Sequence, residues 1–380
     1  MSGTQDRIEA ALRAWCRLRP ARLEAEHALE TGEWRRLLHV ARRQGVAGLI
    51  HRRVAQDKDS AGAPDDVRQG LRETALAQAA ASARAEADLT EVIDAFHAAG
   101  IEPVLMRGLS LVAEIYEDGS LRAQIDHDLL VAPAEREAAQ AALTALGFES
   151  ASGAGGPYRR GAAMVDLHTD PYGRERVASR SSVIRASTAR LRERSVRSGV
   201  AGRAVLVPCA EDRILLLAAH AAKHSFDKLI RLVDLAECWN AGGFRPEDLE
   251  RRARLEGTAD ALFYALAAAR RRVGAEIPES FIGGLRPAPR PAVDRAFARI
   301  LDGLPSPFFA EWLLLAQLRG LRPRVRAAAQ MLWPREMRER ARSRGRIFLA
   351  TWVPLRAITI LGRLAADGAT RLISRPAFPG

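Results

Sequence analysis

Helical patterns occupy both ends of the chain, and strand patterns are confined to its centre. Residues 1–86 contain alanine-rich runs and predict helices, with a polar break at residues 56–66. A proline-rich joint at residues 283–291 precedes a last helical region. Between Pro208 and this joint, a bundle with short connections is predicted from four segments: residues 211–226, 228–240, 246–256 and 259–273.

The centre of the chain mixes helical and strand patterns. One apolar helix face ends at Gly100, and short apolar runs then alternate with helical stretches. The glycine-rich run ASGAGGP at 151–157 predicts a hairpin or a flexible loop. The predicted helices cover residues 109–116 and 134–146, and the predicted strands cover residues 103–106, 125–131, 148–150 and 162–169.

These patterns predict an α+β fold, in which a small mixed β-sheet core is flanked by all-helical N-terminal and C-terminal regions. We expect four parts: an N-terminal helical region (1–86), the α+β core (87–208), a helical bundle that packs on the core (209–283) and a basic, aromatic-rich helical C-terminal region (284–380).

Charge distinguishes the last part from the others. The chain of 380 residues has a formal net charge of +12, yet residues 1–285 hold 40 basic and 40 acidic side chains. Residues 286–380 hold 18 basic and 6 acidic side chains, so the whole surplus lies there. Its arginines alternate with Trp, Phe and Leu, which predicts either solvated helices or helices on an anionic membrane surface. A nucleic-acid partner is not favoured, because no RNA-binding motif accompanies the arginines.

Composition excludes several classes of protein. No uncharged apolar stretch approaches the ~20 residues of a spanning helix, and the first residues lack the order of a signal peptide. The three cysteines are widely spaced and match neither a zinc pattern nor a disulfide framework. We therefore expect a cytoplasmic protein, with peripheral attachment at the inner face of the membrane as an additional option.

The motif with the most chemical content is Asp126-His127-Asp128, on a predicted strand. Residues i and i+2 of a strand share a face, so the two carboxylates repel each other unless a cation lies between them. Asp166 adds a third carboxylate on the next long strand, with His168 on the same face. Three such carboxylates suit two Mg²⁺ ions in phosphoryl or nucleotidyl transfer. The ordinary alternative is a set of solvated or capping aspartates.

Roles simpler than catalysis are available to three histidines of the chain. His127 falls on the opposite strand face, which predicts a half-buried ring bonded to the backbone. His220 and His224 are four residues apart on a predicted helix, a spacing that can hold zinc. No HExxH glutamate or cysteine accompanies them, so packing or a phosphate contact is the favoured role.

Three blocks together resemble the signature of an uncharacterised bacterial nucleotidyltransferase family related to DNA polymerase β. They are LMRGLSLVAEIYEDGSLRAQIDHDLLV (105–131), VDLHTD (165–170) and HAAKHSFDKLIRLVDLAE (220–237). The resemblance covers roughly residues 90–240. It implies Mg²⁺-dependent transfer of a nucleoside monophosphate from an NTP to a hydroxyl of an acceptor, which could be a small molecule, a peptide or a sugar.

The resemblance also implies roles for single residues. Asp126 and Asp128 would hold two Mg²⁺ ions, with Asp166 as the third catalytic carboxylate. Arg107 and Gly108 match a Lys-Gly turn of the family, where backbone N–H groups at a helix start can cradle triphosphate oxygens.

Further matches concern nucleotide binding and accessory positions. Ser110 would add a hydroxyl contact to the nucleotide, and Arg122 would either clamp phosphate or order the Asp-X-Asp strand. Matches without an assigned role are His168, His220, His224, Arg231 and Asp234.

Two departures from the family pattern motivate an alternative function. Arg107 replaces the lysine, and His127 replaces an aliphatic residue between the aspartates. A catalytically inactive nucleotide-binding or regulatory module on the same fold would tolerate both changes.

Overall fold

Short strands form one mixed sheet at the centre of the protein. The computed structural model describes residues 2–19, 28–56, 62–116, 118–124, 126–150, 156–174 and 177–332. In this part of the chain the sheet has the strand order β3-β4-β5-β2-β1-β7-β6, and the pairs β2–β5 and β1–β7 are parallel. The strands are β1 (Val104–Leu105), β2 (His127–Leu130), β3 (Glu149–Ser150), β4 (Tyr158–Arg160), β5 (Ala163–His168), β6 (Val196–Val200) and β7 (Arg203–Val207).

Helices precede, interrupt and follow the sheet. A turn of π-helix, Val112–Tyr116, extends α5, and short 3₁₀ turns cover Pro133–Glu135 and Ala178–Ser182. The α-helices are α1 (Ser2–Trp15), α2 (Thr31–Gln44), α3 (Ala47–Gln56), α4 (Asp65–Ala98), α5 (Leu109–Leu111), α6 (Arg136–Ala145), α7 (Thr188–Arg194), α8 (Ala210–Lys223), α9 (Leu229–Ala241), α10 (Pro246–Glu256), α11 (Ala259–Val273), α12 (Glu279–Gly284), α13 (Pro291–Leu301), α14 (Phe309–Gln317) and α15 (Leu321–Leu332).

The two faces of the sheet pack against different helices. Leu105 and Leu129 belong to one buried cluster, with apolar residues of α4 and α6. Met106 and Leu130, their neighbours along the chain, belong to another cluster, with residues of α7 and α8. Successive strand residues point to opposite faces, so this alternation places Asp128, two residues before Leu130, on the α7–α8 face.

The N-terminal helices share a core with the bundle that follows the sheet. Leu37 of α2 and Leu49 of α3 belong to the same buried cluster as Leu232 of α9 and Leu262 of α11. The cluster therefore joins residues more than 180 positions apart, and it fixes the bundle and the N-terminal helices to each other.

The structure confirms the predicted α+β class. The four predicted bundle helices correspond to α8–α11. The run 151–157, predicted as a hairpin or a flexible loop, separates the antiparallel strands β3 and β4 in the chain, and residues 151–155 lie outside the described residues. The boundary expected between residues 86 and 87 falls inside α4, a helix of 34 residues. The division into four parts otherwise stays a prediction.

Two features of the sheet were not expected. The antiparallel hairpin β6–β7 follows α7, in a stretch where arginine, serine and glycine interrupt the apolar pattern of a strand. The predicted strand 125–131 is also longer than β2, which begins at His127. Asp126 thus lies immediately before the strand rather than within it.

The C-terminal region is described as far as Leu332. Phe309, Leu313 and Leu314 of α14 are buried, so these residues of the predicted apolar–basic pattern contribute to the core. Trp333, Phe348 and Trp352, which belong to the same pattern, lie outside the described residues. Within the described ranges, none of the helices combines the length and the apolar character that crossing a membrane requires.

The loop that leads to the Asp-X-Asp motif packs against α3, and Gly48 makes this contact possible. A Cβ atom at Gly48 would lie 2.0 Å from the carbonyl oxygen of Ser120. We predict that Gly48→Ala lowers the free energy of unfolding by about 2–3 kcal/mol, because backbone must move to admit the methyl group. Urea denaturation measures this change.

Gly32 of α2 provides the matched control, because a Cβ atom there would meet nothing within 4 Å. Gly32→Ala should raise the free energy of unfolding by up to about 1 kcal/mol through helix propensity alone. An unchanged stability in Gly48→Ala would contradict the contact between α3 and the loop.

Candidate functional site

Pairing of β2 with β5 brings two of the predicted carboxylates together. The strands are parallel, and Asp128 pairs with Asp166 in their register. Paired residues of adjacent strands project from the same face, so their side chains are neighbours. Asp128 is buried, whereas the side chain of Asp166 is 23% exposed. The two carboxylates therefore differ in their access to solvent.

His168 completes a group that could hold a cation. Its Nε2 lies 3.0 Å from Oδ1 of Asp128 and 3.3 Å from Oδ2 of Asp166. One ligand atom from each of these residues lies within 4.8 Å of the others, an arrangement that no other set of side chains in the described ranges provides. Two carboxylate oxygens and one imidazole nitrogen are suitable donors for a divalent cation. The donor set therefore fits a divalent cation, without selecting one metal.

Arg107 is the main partner of Asp128. Its Nε donates to Oδ2 at 3.0 Å and its Nη2 to Oδ1 at 2.6 Å, which is a bidentate pair. Met106 brings Arg107 there, because its backbone N–H donates to the carbonyl of Asp128 at 3.0 Å. The antiparallel pairing of β1 with β2 thus joins residues 21 positions apart.

The protonation of this group follows from its surroundings. Burial by itself would raise the pKa of Asp128, but Arg107 and the hydrogen bond from His168 hold it well below its usual range. Burial likewise would lower the pKa of His168, and the hydrogen bonds to Asp128 and Asp166 raise it instead. Asp128 is therefore ionised. Among the described side chains, its negative charge is balanced by the cationic Arg107 and by the protonated form of His168, which the raised pKa favours.

Asp126 is close enough to Asp128 and Asp166 to feel their charge, but it is not a member of the cation group. Its burial and the nearby charge of Asp128 raise its pKa. Its backbone carbonyl accepts a hydrogen bond from the side chain of Gln124, just before β2. Among the described residues, the cation group consists of Asp128, Asp166 and His168. The sequence predicted Asp126 as the third member.

The predicted phosphate turn packs directly on this segment. Gly108 has φ +76°, and a Cβ atom there would lie 2.6 Å from Nε2 of Gln124. Only glycine adopts this backbone without strain at such a close approach. Ser110, in the following turn, is fully buried, and its hydroxyl has no hydrogen-bond partner among the described residues.

Arg122 is held by the bundle. Its Nε and Nη2 each donate to a different oxygen of Asp234 at 2.9 Å, and the hydroxyl of Tyr116 donates to the same carboxylate at 2.8 Å. Asp234 is buried on α9, so the cluster fixes the segment before the Asp-X-Asp motif to that helix. Arg122 is therefore engaged by Asp234, and its phosphate contact stays a prediction. Sequence reasoning did not find the role of Tyr116, although a buried tyrosine at the end of an apolar helix needs a partner.

The remaining predicted residues line α8 and α9. The rings of His220 and His224 are 4.6 Å apart, and Arg231 pairs with Asp227. Burial lowers the pKa of His220 well below its usual value, and the charge of Arg107 lowers it further. The two histidines form no cation group with other described side chains.

His127 lies on the opposite face of the sheet, as predicted, but its surroundings differ. The ring is fully buried rather than half-buried, and its Nδ1 has no hydrogen-bond partner among the described residues. Burial lowers the pKa of His127 to about 4, which keeps the ring neutral.

Comparison with known families decides the assignment. The family described as uncharacterised nucleotidyltransferase matches residues 30–274. The chain belongs to this family. The matched range contains Asp128, Asp166 and His168, and it ends before the basic C-terminal region. Comparison with curated proteins and with solved structures gave no match.

The buried ion pair of Asp234 with Arg122 should contribute strongly to stability. We predict that Asp234→Asn lowers the free energy of unfolding by about 3 kcal/mol, because Arg122 then remains buried without a counter-charge. Tyr116→Phe removes one hydrogen bond and should cost about 1 kcal/mol. Urea denaturation measures both.

The pair of Asp94 with Arg203 is the control, because it has the same bidentate geometry and is exposed. Asp94→Asn should leave stability unchanged within error. Equal losses in Asp234→Asn and Asp94→Asn would refute the buried cluster as an anchor of this segment.

The half-buried His220, which is neutral in the folded protein, should make the fold sensitive to acid. Its pKa in the folded protein is depressed below 6.5, so between pH 7.5 and 5.5 only the unfolded chain takes up this proton. We predict that stability falls with decreasing pH, and that this fall is smaller in His220→Gln by about 1 kcal/mol. Urea denaturation at the two pH values measures the difference.

His39→Gln is the control, because this ring is exposed on α2. A pH dependence that is the same in His220→Gln and in the wild-type protein would show that His220 binds a proton equally in both states.

Proposed function

We propose that the protein transfers a nucleoside monophosphate from an NTP to a hydroxyl of an acceptor, with Mg²⁺ bound by Asp128 and Asp166. The observation that carries this proposal is the group formed by Asp128, Asp166 and His168 in a member of a nucleotidyltransferase family. Mg²⁺ binds through one or two carboxylates and substrate phosphates, which this group allows. A second ion beside Asp126 is part of the proposal, as is a relationship to DNA polymerase β.

Asp128 and Asp166 would have different roles in the reaction. When bound, Mg²⁺ supplies positive charge that stabilises the phosphate oxygens in the transition state. Asp166 is the more exposed carboxylate, so it takes the proton of the acceptor hydroxyl. The hydroxyl oxygen forms a bond to the α-phosphorus, and the bond from this phosphorus to the bridging oxygen breaks. The electron pair of that bond leaves with pyrophosphate.

Cationic and backbone groups would hold the nucleotide beside these carboxylates. Arg107 fixes the orientation of Asp128 through its two hydrogen bonds. The turn at Gly108 and the buried hydroxyl of Ser110 lie on the same segment, and we propose that they contact the triphosphate. Charge fixed before the reaction in this way is the main source of catalysis in such sites.

One observation favours the alternative of an inactive nucleotide-binding module. Both oxygens of Asp128 already accept hydrogen bonds from Arg107, and Oδ1 also contacts His168. A carboxylate whose charge is compensated in this way binds a cation less strongly, because the cation competes with Arg107. The two functions therefore differ in catalysis and in their need for a bound cation.

Location in the cell is a separate part of the proposal. We propose that the protein is cytoplasmic and that its basic C-terminal region touches an anionic membrane. In the described part of this region, Leu321 and Val325 of α15 are exposed beside exposed arginines, which supports the membrane contact.

Nucleotide binding and pyrophosphate release together test the proposed reaction. We predict that wild-type protein binds ATP or another NTP only with Mg²⁺, and that Asp166→Asn weakens this binding at least about tenfold. Isothermal titration calorimetry measures binding, and a pyrophosphate assay with candidate acceptors measures turnover. Asp128→Asn serves as a second variant, checked for folding because it leaves Arg107 without its partner.

Asp94→Asn, on the helix that covers the other face of the sheet, should bind NTP as the wild-type protein does. Absence of Mg²⁺-dependent NTP binding in the wild-type protein would refute the proposed reaction and favour the inactive or regulatory module. Binding without pyrophosphate release across the acceptor classes would favour the inactive module.

A further inference from the structure

Arg231 lies on the face of α9 that approaches the candidate site. It precedes Asp234 by three residues, so the two side chains are neighbours on one face of the helix. Asp234 binds Arg122, and Nη1 of Arg122 donates to Oε1 of Gln124 at 3.2 Å. The side chain of Gln124 in turn donates to the backbone carbonyl of Asp126. A continuous chain of hydrogen bonds therefore connects this face of α9 to the Asp-X-Asp motif.

The charges that act on Arg231 belong to the same site. Burial lowers the pKa of Arg231, the positive charge of Arg107 lowers it further, and the negative charge of Asp126 opposes both effects. His220 of the neighbouring helix α8 has a pKa that burial lowers most, with contributions from the charges of Arg107, Arg231 and Asp128. Coulombic interactions weaken with distance, so Arg231 lies near the carboxylates and near Arg107.

Of the three arginines described around this site, Arg231 has the weakest compensation of its charge. Burial would lower the pKa of Arg107 and of Arg122, but each forms a bidentate pair with a buried aspartate that raises it instead. Arg231 pairs with Asp227, whose side chain is 52% exposed, and its pKa remains lowered by burial. A partly buried cation with a solvated partner gains more from an additional anion than a cation in a buried pair does.

The pair of Arg231 with Asp227 can open when an anion arrives. Nη1 of Arg231 donates to Asp227, which lies on the short connection between α8 and α9. Pairs with an exposed partner contribute little to stability, because water screens the charges. A guanidinium carries five N–H donors in a planar fork, and Asp227 is the acceptor that Arg231 contacts among the described residues. Its other donors can therefore bind phosphate oxygens in bidentate geometry.

Strand order determines which part of an NTP would lie beside Arg231. The order β5-β2-β1 places Asp166 on one side of Asp128 and the turn at Gly108, which follows β1, on the other. A Cβ atom at Gly108 would lie 2.6 Å from Nε2 of Gln124, so this turn contacts the chain of hydrogen bonds that leads to α9. Attacking and leaving oxygens lie roughly in line in phosphoryl transfer. With the acceptor hydroxyl at Asp166, pyrophosphate would leave on the side of Gly108 and Arg231.

We infer that Arg231 binds the β- and γ-phosphates of the NTP, which leave as pyrophosphate, and that it exchanges Asp227 for them when the nucleotide enters. Arg231 thereby compensates the negative charge that develops on pyrophosphate as its bond to the α-phosphorus breaks. This role rests on the proposed function, since it names the residue that holds the leaving group of that reaction.

Inorganic tripolyphosphate tests this role without a nucleobase. We expect the wild-type protein to bind tripolyphosphate in the presence of Mg²⁺, as measured by isothermal titration calorimetry. Arg231→Met should weaken this binding at least about tenfold, because charge-assisted hydrogen bonds are lost while the apolar stem of the side chain is retained. Arg231→Lys keeps the charge and loses the planar fork, so it should give a smaller loss.

Arg251→Met is the matched control, because Arg251 also pairs with a nearby aspartate of its own segment and its side chain is 65% exposed on α10. This variant should bind tripolyphosphate as the wild-type protein does. Thermal unfolding checks the folding of each variant, and Arg231→Met should keep the wild-type midpoint because the partner of Arg231 is exposed.

Asp227→Asn gives a readout that a merely structural arginine would not give. It removes the carboxylate that competes with phosphate for Arg231, so tripolyphosphate should bind about twofold to fivefold more tightly. An arginine that only anchored the connection between α8 and α9 through Asp227 would give unchanged or weaker binding in this variant.

Three outcomes would overturn the inference: no tripolyphosphate binding by the wild-type protein, a loss in Arg231→Met no larger than in Arg251→Met, or unchanged or weaker binding in Asp227→Asn. The proposed function is tested separately by Mg²⁺-dependent NTP binding and its weakening in Asp166→Asn. If NTP binds in this way and Arg231→Met leaves tripolyphosphate binding unchanged, the role of Arg231 is wrong and the reaction stands. If tripolyphosphate binds through Arg231 and NTP does not bind, the reaction is wrong and the polyphosphate site stands.

Discussion

The buried pair of Arg107 with Asp128 is the interaction on which the candidate site depends. Removing either partner would leave an uncompensated charge inside the protein, which costs several kcal/mol in buried pairs generally. Together with His168, the pair offsets the repulsion between two carboxylates of adjacent strands. A site built in this way is ordered before any substrate arrives.

A second buried pair orients this site within the whole fold. Asp234 of α9 binds both Arg122 and Tyr116, which lie on either side of the loop that leads to the Asp-X-Asp motif. Gly48 and Gly119 let α3 and α4 approach the same loop closely. The loop therefore contacts helices from three parts of the sequence, and its position is set by long-range packing rather than by its own residues.

Local patterns predicted part of this arrangement and missed part of it. The proximity of Asp166 to Asp128 followed from two acidic strands, and the register of β2 with β5 confirms it. The cation group contains His168 and not Asp126, because β2 begins at His127 and leaves Asp126 outside the strand. The residue at which a strand begins is difficult to predict from the sequence. The strand β6 was missed because its sequence VRSGV is polar and contains glycine, so its stability comes from cross-strand pairing. The apolar run Ala204–Val207 of β7 was a strand signal that was overlooked.

Helix α4 has a practical consequence for dissecting the protein. Its 34 residues span about 50 Å at 1.5 Å per residue, and its last turns cover one face of the sheet through Leu89, Val92 and Phe96. A fragment that begins at residue 87 would keep this apolar face and lose most of the helix that presents it. A recombinant fragment that contains the sheet should therefore begin before Asp65, so that the sheet retains its cover.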